Sequence, residues 1–262
     1  MYLENSIFIC IYFVLLLSSC NQHENSRYNH MAIDTTSTLY AFYPNYDYIK
    51  WTCSKSPNKD NKNIIFCCTA TFSKDYSIKI DHNKICGSHI VDGKYYEGYQ
   101  HCLLNGAFVY SDGIYAFLYD SINIKMKSLD GLPKTYGFSQ MRLDTNIMNI
   151  PSDNIFFEKF GLRGYRNLEG KLRLSNTKFK YRALCEKESK LCIIESKETV
   201  TLTQFRKNLK EYGVTHALYL DTGIGWSHAW YRDNNNKVQI LHPYIHPFNT
   251  NWLIFYKDKY EL

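Results

Sequence analysis

Residues 181–232 read YRALCEKESKLCIIESKETVTLTQFRKNLKEYGVTHALYLDTGIGWSHAWYR, and their order of patterns decides the fold. Two short apolar runs, RALC and LCIIES, flank a polar KESK-type turn, as the arms of a hairpin do. Thr201 and Gln204 have the spacing of a capping box, with Val200 and Phe205 placed for a hydrophobic staple. Leu202, Phe205, Leu209 and Tyr212 recur on one helical face, and Arg206, Lys207, Lys210 and Glu211 take the other. Gly213 stands where a left-handed residue stops a helix. Then Ala217-Leu218-Tyr219-Leu220 is apolar at every position, which suits a strand covered on both faces and central in its sheet. It opens into Asp221-Thr222-Gly223-Ile224-Gly225-Trp226-Ser227. A carboxylate at the end of a buried strand, followed by glycines that let a ligand approach, suits a cleft floor. The competing reading is that Asp221 caps the turn through its own backbone.

Outward from this stretch, composition is that of a globular chain. Of 262 residues, 45% are hydrophobic and 21% charged, which excludes disorder. The 23 tyrosines favour strands. The net charge of +6 is scattered, without the clustered stripe a nucleic-acid partner requires. We expect an α+β fold: a β-rich single domain over residues 39–262, with a mixed sheet and a few packed helices.

The N-terminal residues 6–17, SIFICIYFVLLL, have the length of a signal-peptide core and are short for a membrane span. Leu17-Ser18-Ser19-Cys20 is similar to a bacterial lipobox, although the preceding residues carry Glu4 and no Lys or Arg. This implies a signal peptide over 1–19, lipidation of Cys20, a polar tether over 20–38 and an exported, membrane-anchored protein of the cell envelope. Apart from Cys10 and Cys20, seven cysteines remain, an odd number. Cys185 with Cys192, and Cys86 with Cys102, are the candidate disulfides, with at least one thiol left buried and free. The absence of CxxC spacing and of His at zinc-finger distance argues against a structural metal, and no cofactor is expected.

Residues 39–43, 64–72, 237–241 and 252–256 read as further strands. Residues 103–110 and 114–119 form a hairpin around Ser111-Asp112-Gly113. Asn105-Gly106 within that apolar run implies a bulge, or a close approach by another group. Residues 121–180 are the least periodic, and a long loop there would border a cleft.

Together these elements resemble the phosphodiester glycosidase family. Asn105-Gly106-Ala107-Phe108 is similar to that family's Asn-Gly-Gly-Phe element, and Arg182-Ala183-Leu184 to its Arg-Ala strand. Residues 220–227 look like its Leu-Asp-Gly-Gly-Gly-Ser turn. The resemblance implies hydrolysis of a sugar-1-phosphodiester, with a carbohydrate or sugar-phosphate as substrate. Asp221 would stabilise the sugar cation, attack it or activate water. Arg182, with Arg163 or Arg166, would clamp phosphate, and Asn105 would orient a hydroxyl or phosphate oxygen. Gly106, Gly223, Ser227, Gln140, Trp226 and His228 would contact substrate, with Trp226, His228 and Trp230 as a stacking wall. Core packing is the competing reading for these aromatics, and a satisfied histidine the competing reading for His228. No second carboxylate is evident beside Asp221. Ala107, Thr222 and Ile224 replace glycines of the family pattern. Those replacements favour an alternative, a non-catalytic glycan-binding or interaction lipoprotein on the same fold.

Overall fold

A computed structural model describes residues 30–73, 80–99, 104–144, 178–223, 227–243, 245 and 249–258. Cys20, Cys102, Arg163, Arg166 and Trp226 lie outside these residues, as do the expected signal peptide and lipidation site.

The described chain forms three five-stranded sheets. In the first, β1 (Met31–Thr35), β2 (Leu39–Pro44), β11 (Lys190–Ser196), β10 (Arg182–Lys187) and β12 (His216–Leu220) lie side by side. The second runs β14 (Val238–His242), β13 (Ala229–Arg232), β4 (Ile64–Thr69), β15 (Asn251–Tyr256) and β3 (Tyr48–Cys53). The third runs β6 (Lys94–Tyr96), β5 (His89–Val91), β9 (Thr135–Gln140), β7 (Gly106–Ser111) and β8 (Ile114–Leu118).

Every pairing between these strands is antiparallel, so the expected mixed sheet is not found. Among the described residues there are two α-helices, α1 (Ile122–Lys127) and α2 (Leu202–Glu211), beside a 3-10 turn at His82–Lys84. The fold is therefore β-dominated, and the α+β expectation with several packed helices is overturned. The physical reason is hairpin chemistry. Asp112 and Gly113, and Glu188 and Ser189, all take positive φ between paired strands, the tight turns that reverse a strand onto itself.

β1 lies within the stretch expected as tether, and it pairs with β2 along its whole length. β7 starts at Gly106, so Asn105-Gly106 lies at the head of the strand and not at an interior bulge. Residues 121–144, expected as loop, hold α1 and β9.

β12 is the strand that joins sheets. It pairs with β10 on one side. On the other, Arg142 bridges to Leu218, Leu143 N–H donates to the Ala217 carbonyl, and Tyr219 N–H donates to the Met141 carbonyl. β12 is thus the last strand of its sheet and not central as its all-apolar sequence suggested, and the segment 141–143 covers its outer edge. Phe42, Trp51, Phe66, Phe108, Phe138, Leu184, Ile193, Leu218, Trp252 and Phe255 pack into one core shared by all three sheets.

The opposite face of the first sheet is covered by α2, through Leu202, Phe205 and Leu209. Thr201 Oγ1 accepts from Gln204 N–H at 3.1 Å, but the Gln204 side chain donates forward to Asn208 Oδ1 and not back to residue 201. Half of the capping box is formed. Arg206, placed by its pattern on the solvent face, is buried, with Nε donating to the Leu143 carbonyl.

At the other end of α2, Gly213 has φ +87°, with Gly213 N–H bonded to Lys210 O and Val214 N–H to Leu209 O. That is a Schellman cap. A Cβ at residue 213 would meet only Lys187 Cε, at 3.7 Å, so the cost of a side chain there is conformational and not steric. Gly213→Ala is expected to lower stability by about 1 kcal/mol, read as a fall in the urea midpoint at unchanged slope.

Candidate active site

β10 and β11 place Arg182 opposite Glu195, and β10 and β12 place Arg182 opposite Leu220, one residue before Asp221. Arg182 is wholly buried. Its Nε and Nη2 donate to Glu195 Oε2 at 3.0 and 2.8 Å, and Nη2 also donates to the Ser227 carbonyl at 2.9 Å. His242 Nε2 holds the other oxygen, Glu195 Oε1, at 2.8 Å. His228 Nδ1–H donates to the His242 carbonyl at 2.6 Å, which leaves Nε2 as the ring's lone-pair nitrogen. These bonds close a ring of side chains from β10 through β11 and β14 to the start of β13.

Asp221 lies against this ring. Its backbone N–H donates to the Ala70 carbonyl, and its own carbonyl accepts from Thr69 Oγ1. Asp221 Oδ1 accepts from Gly223 N–H at 2.9 Å. The turn-capping reading is thus correct, and it leaves Oδ2 as the oxygen able to take or give a proton. Asp221 is 6% exposed. Burial pushes its carboxyl up to about 7, against the opposing pull of the Gly223 amide and the Arg182 charge.

Glu195 behaves oppositely. Burial alone would raise it, but the Arg182 guanidinium and His242 hold it below the usual carboxylate range. Burial also pushes the His228 imidazole down to about 4, so that ring is neutral. Two buried polar atoms of the cluster, Arg182 Nη1 and His228 Nε2, have no hydrogen-bond partner among the described residues. Of the two carboxyl groups, Glu195 has both oxygens engaged in the ion pair and with His242, so Asp221 is the one able to exchange a proton.

Other expected site residues have different duties. Gln140 is buried, and both ends of its amide serve backbone: Nε2 donates to the Ala70 carbonyl at 3.3 Å and Oε1 accepts from Met141 N–H at 2.7 Å. It shares the Ala70 carbonyl with the Asp221 amide. Asn105 is exposed, and its Oδ1 accepts from Arg142 N–H at 2.8 Å, at the far side of β12 from Arg182. Gly106 is required by packing, because a Cβ there would stand 2.5 Å from Leu218 Cδ2. A Cβ on Gly223 would lie 3.2 Å from Asp221 Oδ1. Ser227 contributes its carbonyl. His228 and Trp230 are fully buried, so they are core residues and not a stacking wall.

Glu195 was missed by sequence reasoning, although counting outward from the Glu188-Ser189 turn pairs it with Arg182. His242 gave no local signal. One expected disulfide is corrected: Cys185 and Cys192 do face one another across the hairpin, but both are free. The other, Cys86 with Cys102, involves a residue outside the described ones.

No protein-family model matches the chain, and no curated protein matches it. Among solved structures it is similar to the zebrafish N-acetylglucosamine-1-phosphodiester alpha-N-acetylglucosaminidase catalytic domain, auto-inhibited by pro-peptide. The TM-score is 0.53 at 14% identity, over 91% of this chain and 86% of that one. The fold is phosphodiester glycosidase-like. Within it, the acid, the guanidinium and the second carboxylate all come from the first sheet and the turn that leaves it.

Removing one member of the buried ion pair strands the other. Glu195→Gln is expected to cost about 3–5 kcal/mol in urea melts, and Arg182→Met combined with Glu195→Leu to recover most of it. A loss under about 1 kcal/mol would contradict the pair's place in the fold. Asp221 has the opposite sign. Its folded pKa lies above the unfolded value of 3.8, so stability falls as pH rises from there to about 7. Asp221→Asn should remove that fall and raise Tm at pH 8 by at least about 2 °C.

Proposed function

We propose that this chain is a hydrolase of sugar-1-phosphodiesters, with Asp221 as its base. The observation that carries the reading is a carboxyl poised near neutrality beside buried Arg182, on a phosphodiester glycosidase-like fold. A phosphate monoester leaves readily and needs little protonation, so the demand falls on the attacking water. Ionised Asp221 takes a proton from water, the water oxygen bonds to the anomeric carbon, and the bond from that carbon to the phosphate oxygen breaks. The electron pair leaves with the phosphate. The products are the free sugar and a phosphate monoester.

Arg182 acts in this scheme as a positioning residue. Its charge favours the ionised form of Asp221, and its bond to the Ser227 carbonyl holds the turn that follows. Glu195 keeps the guanidinium in place and offsets its charge. The proposal retains export and lipidation at Cys20, supported by the apolar run 6–17 and the motif ending at Cys20.

A second reading, a non-catalytic glycan-binding protein, is favoured by the enclosure of Arg182 and by its pairing with Glu195. Assay of the full chain against a panel of sugar-1-phosphodiesters separates the two. Hydrolysis should rise with pH through about 7, and Asp221→Asn should lower kcat by about 10²–10⁴-fold while the protein stays folded. Binding of the panel without release of sugar from any member would select the second reading.

A further inference from the structure

Away from Asp221, three segments distant in sequence bring Cys53, His82 and His89 together, with one ligand-capable atom from each lying within 4.8 Å of the others. Cys53 ends β3 in the second sheet, His89 begins β5 in the third, and His82 opens the 3-10 turn before β5. β3 packs against β5 and β9, so the cluster sits on the seam between two sheets.

The geometry of the rings is specific. His89 Nδ1–H donates to the Gly87 carbonyl at 3.0 Å, so the lone pair of His89 is on Nε2. That nitrogen is 3.0 Å from His82 Nδ1. A backbone carbonyl that fixes the tautomer and orientation of an imidazole is the usual outer partner of a metal-bound histidine. Aromatic rings hold both imidazoles in place. His82 stacks on Tyr96 at 3.7 Å, and His89 lies between Tyr96 at 5.2 Å and Trp51 at 5.1 Å.

His89 is fully buried, while Cys53 and His82 are partly exposed, so one side of the cluster opens to solvent. A tetrahedral ion with nitrogen at about 2.0 Å and sulfur at about 2.3 Å sets its ligands about 3.3–3.5 Å apart. The two ring nitrogens, 3.0 Å apart, must separate slightly, and the other separations, at most 4.8 Å, must close by up to about 1.3–1.5 Å to meet that. A bare hydrogen bond between the two imidazoles would explain their spacing, but not the thiol beside them.

We propose that Cys53, His82 and His89 form a binding site for a divalent zinc-class ion, with water as fourth ligand. One sulfur and two nitrogens suit this borderline-soft metal and suit magnesium or calcium poorly. The ion would tie the edge strand of the second sheet to the third. Local spacing carries no sign of such a site, because these ligands are assembled by sheet packing.

The test uses the full chain freed of metal, titrated with cobalt(II) as a spectroscopic stand-in and with zinc in competition. The expected result is one equivalent of cobalt with a near-ultraviolet thiolate-to-metal band that zinc displaces. Cys53→Ser should abolish the band, and His82→Gln should weaken affinity by at least about tenfold. Zinc should raise Tm for the unaltered chain and for His82→Gln to a smaller extent. A cobalt-loaded chain without the thiolate band overturns the proposal. So does unaltered affinity in His82→Gln, a partly exposed position whose change leaves the core intact.

Discussion

A guanidinium with no solvent contact has to find its counter-charge inside the protein, and in this fold it finds it across one hairpin. The Arg182–Glu195 pair is satisfied only when β10 and β11 are in register, because a slip of one residue would send the two side chains to opposite faces. The pair also reaches beyond its hairpin. Through Ser227 and His242 it fixes where β13 begins and where β14 ends, and thereby sets the second sheet against the first. A hydrophobic pair of similar volume would be at least as stable, but it would not dictate these partners.

The same enclosure creates the unusual state of Asp221. Burial that costs a lone carboxylate its charge is tolerable when a backbone amide bonds it and a buried cation lies nearby. Glu195 and Asp221 are both carboxyl groups near one arginine, yet they titrate in opposite directions. The difference is contact: Glu195 receives the guanidinium directly, whereas Asp221 feels its charge from the neighbouring strand.

Local patterns made much of the fold legible. The hairpin arms, the Thr201 cap, the Gly213 stop and the buried run before Asp221 all depend on residues within a turn or two of each other. Sheet composition was not legible in the same way. β3 and β9 carry mixed polar and aromatic residues, β5 is only three residues long, and their strand pairings are made with neighbours far along the chain. The site divides similarly. Arg182 lies on β10 and Asp221 follows the adjacent β12, whereas Asn105 is on the far side of β12, and the roles of Gln140 and His228 were set by long-range backbone partners. Arg206 illustrates the limit of periodicity, since a cation on the polar stripe of a helix became buried once the segment after β9 came to cover it.

Cys67, Cys68, Cys185 and Cys192 are all free and all buried, spread over the first and second sheets. Burial pushes the Cys192 thiol up to about 12 and Cys67 well above its ordinary value, so these sulfurs are poor nucleophiles while the sheets stay together. Alkylation of these positions is therefore a clock for opening of the sheets, and the order in which they react would record which sheet parts first.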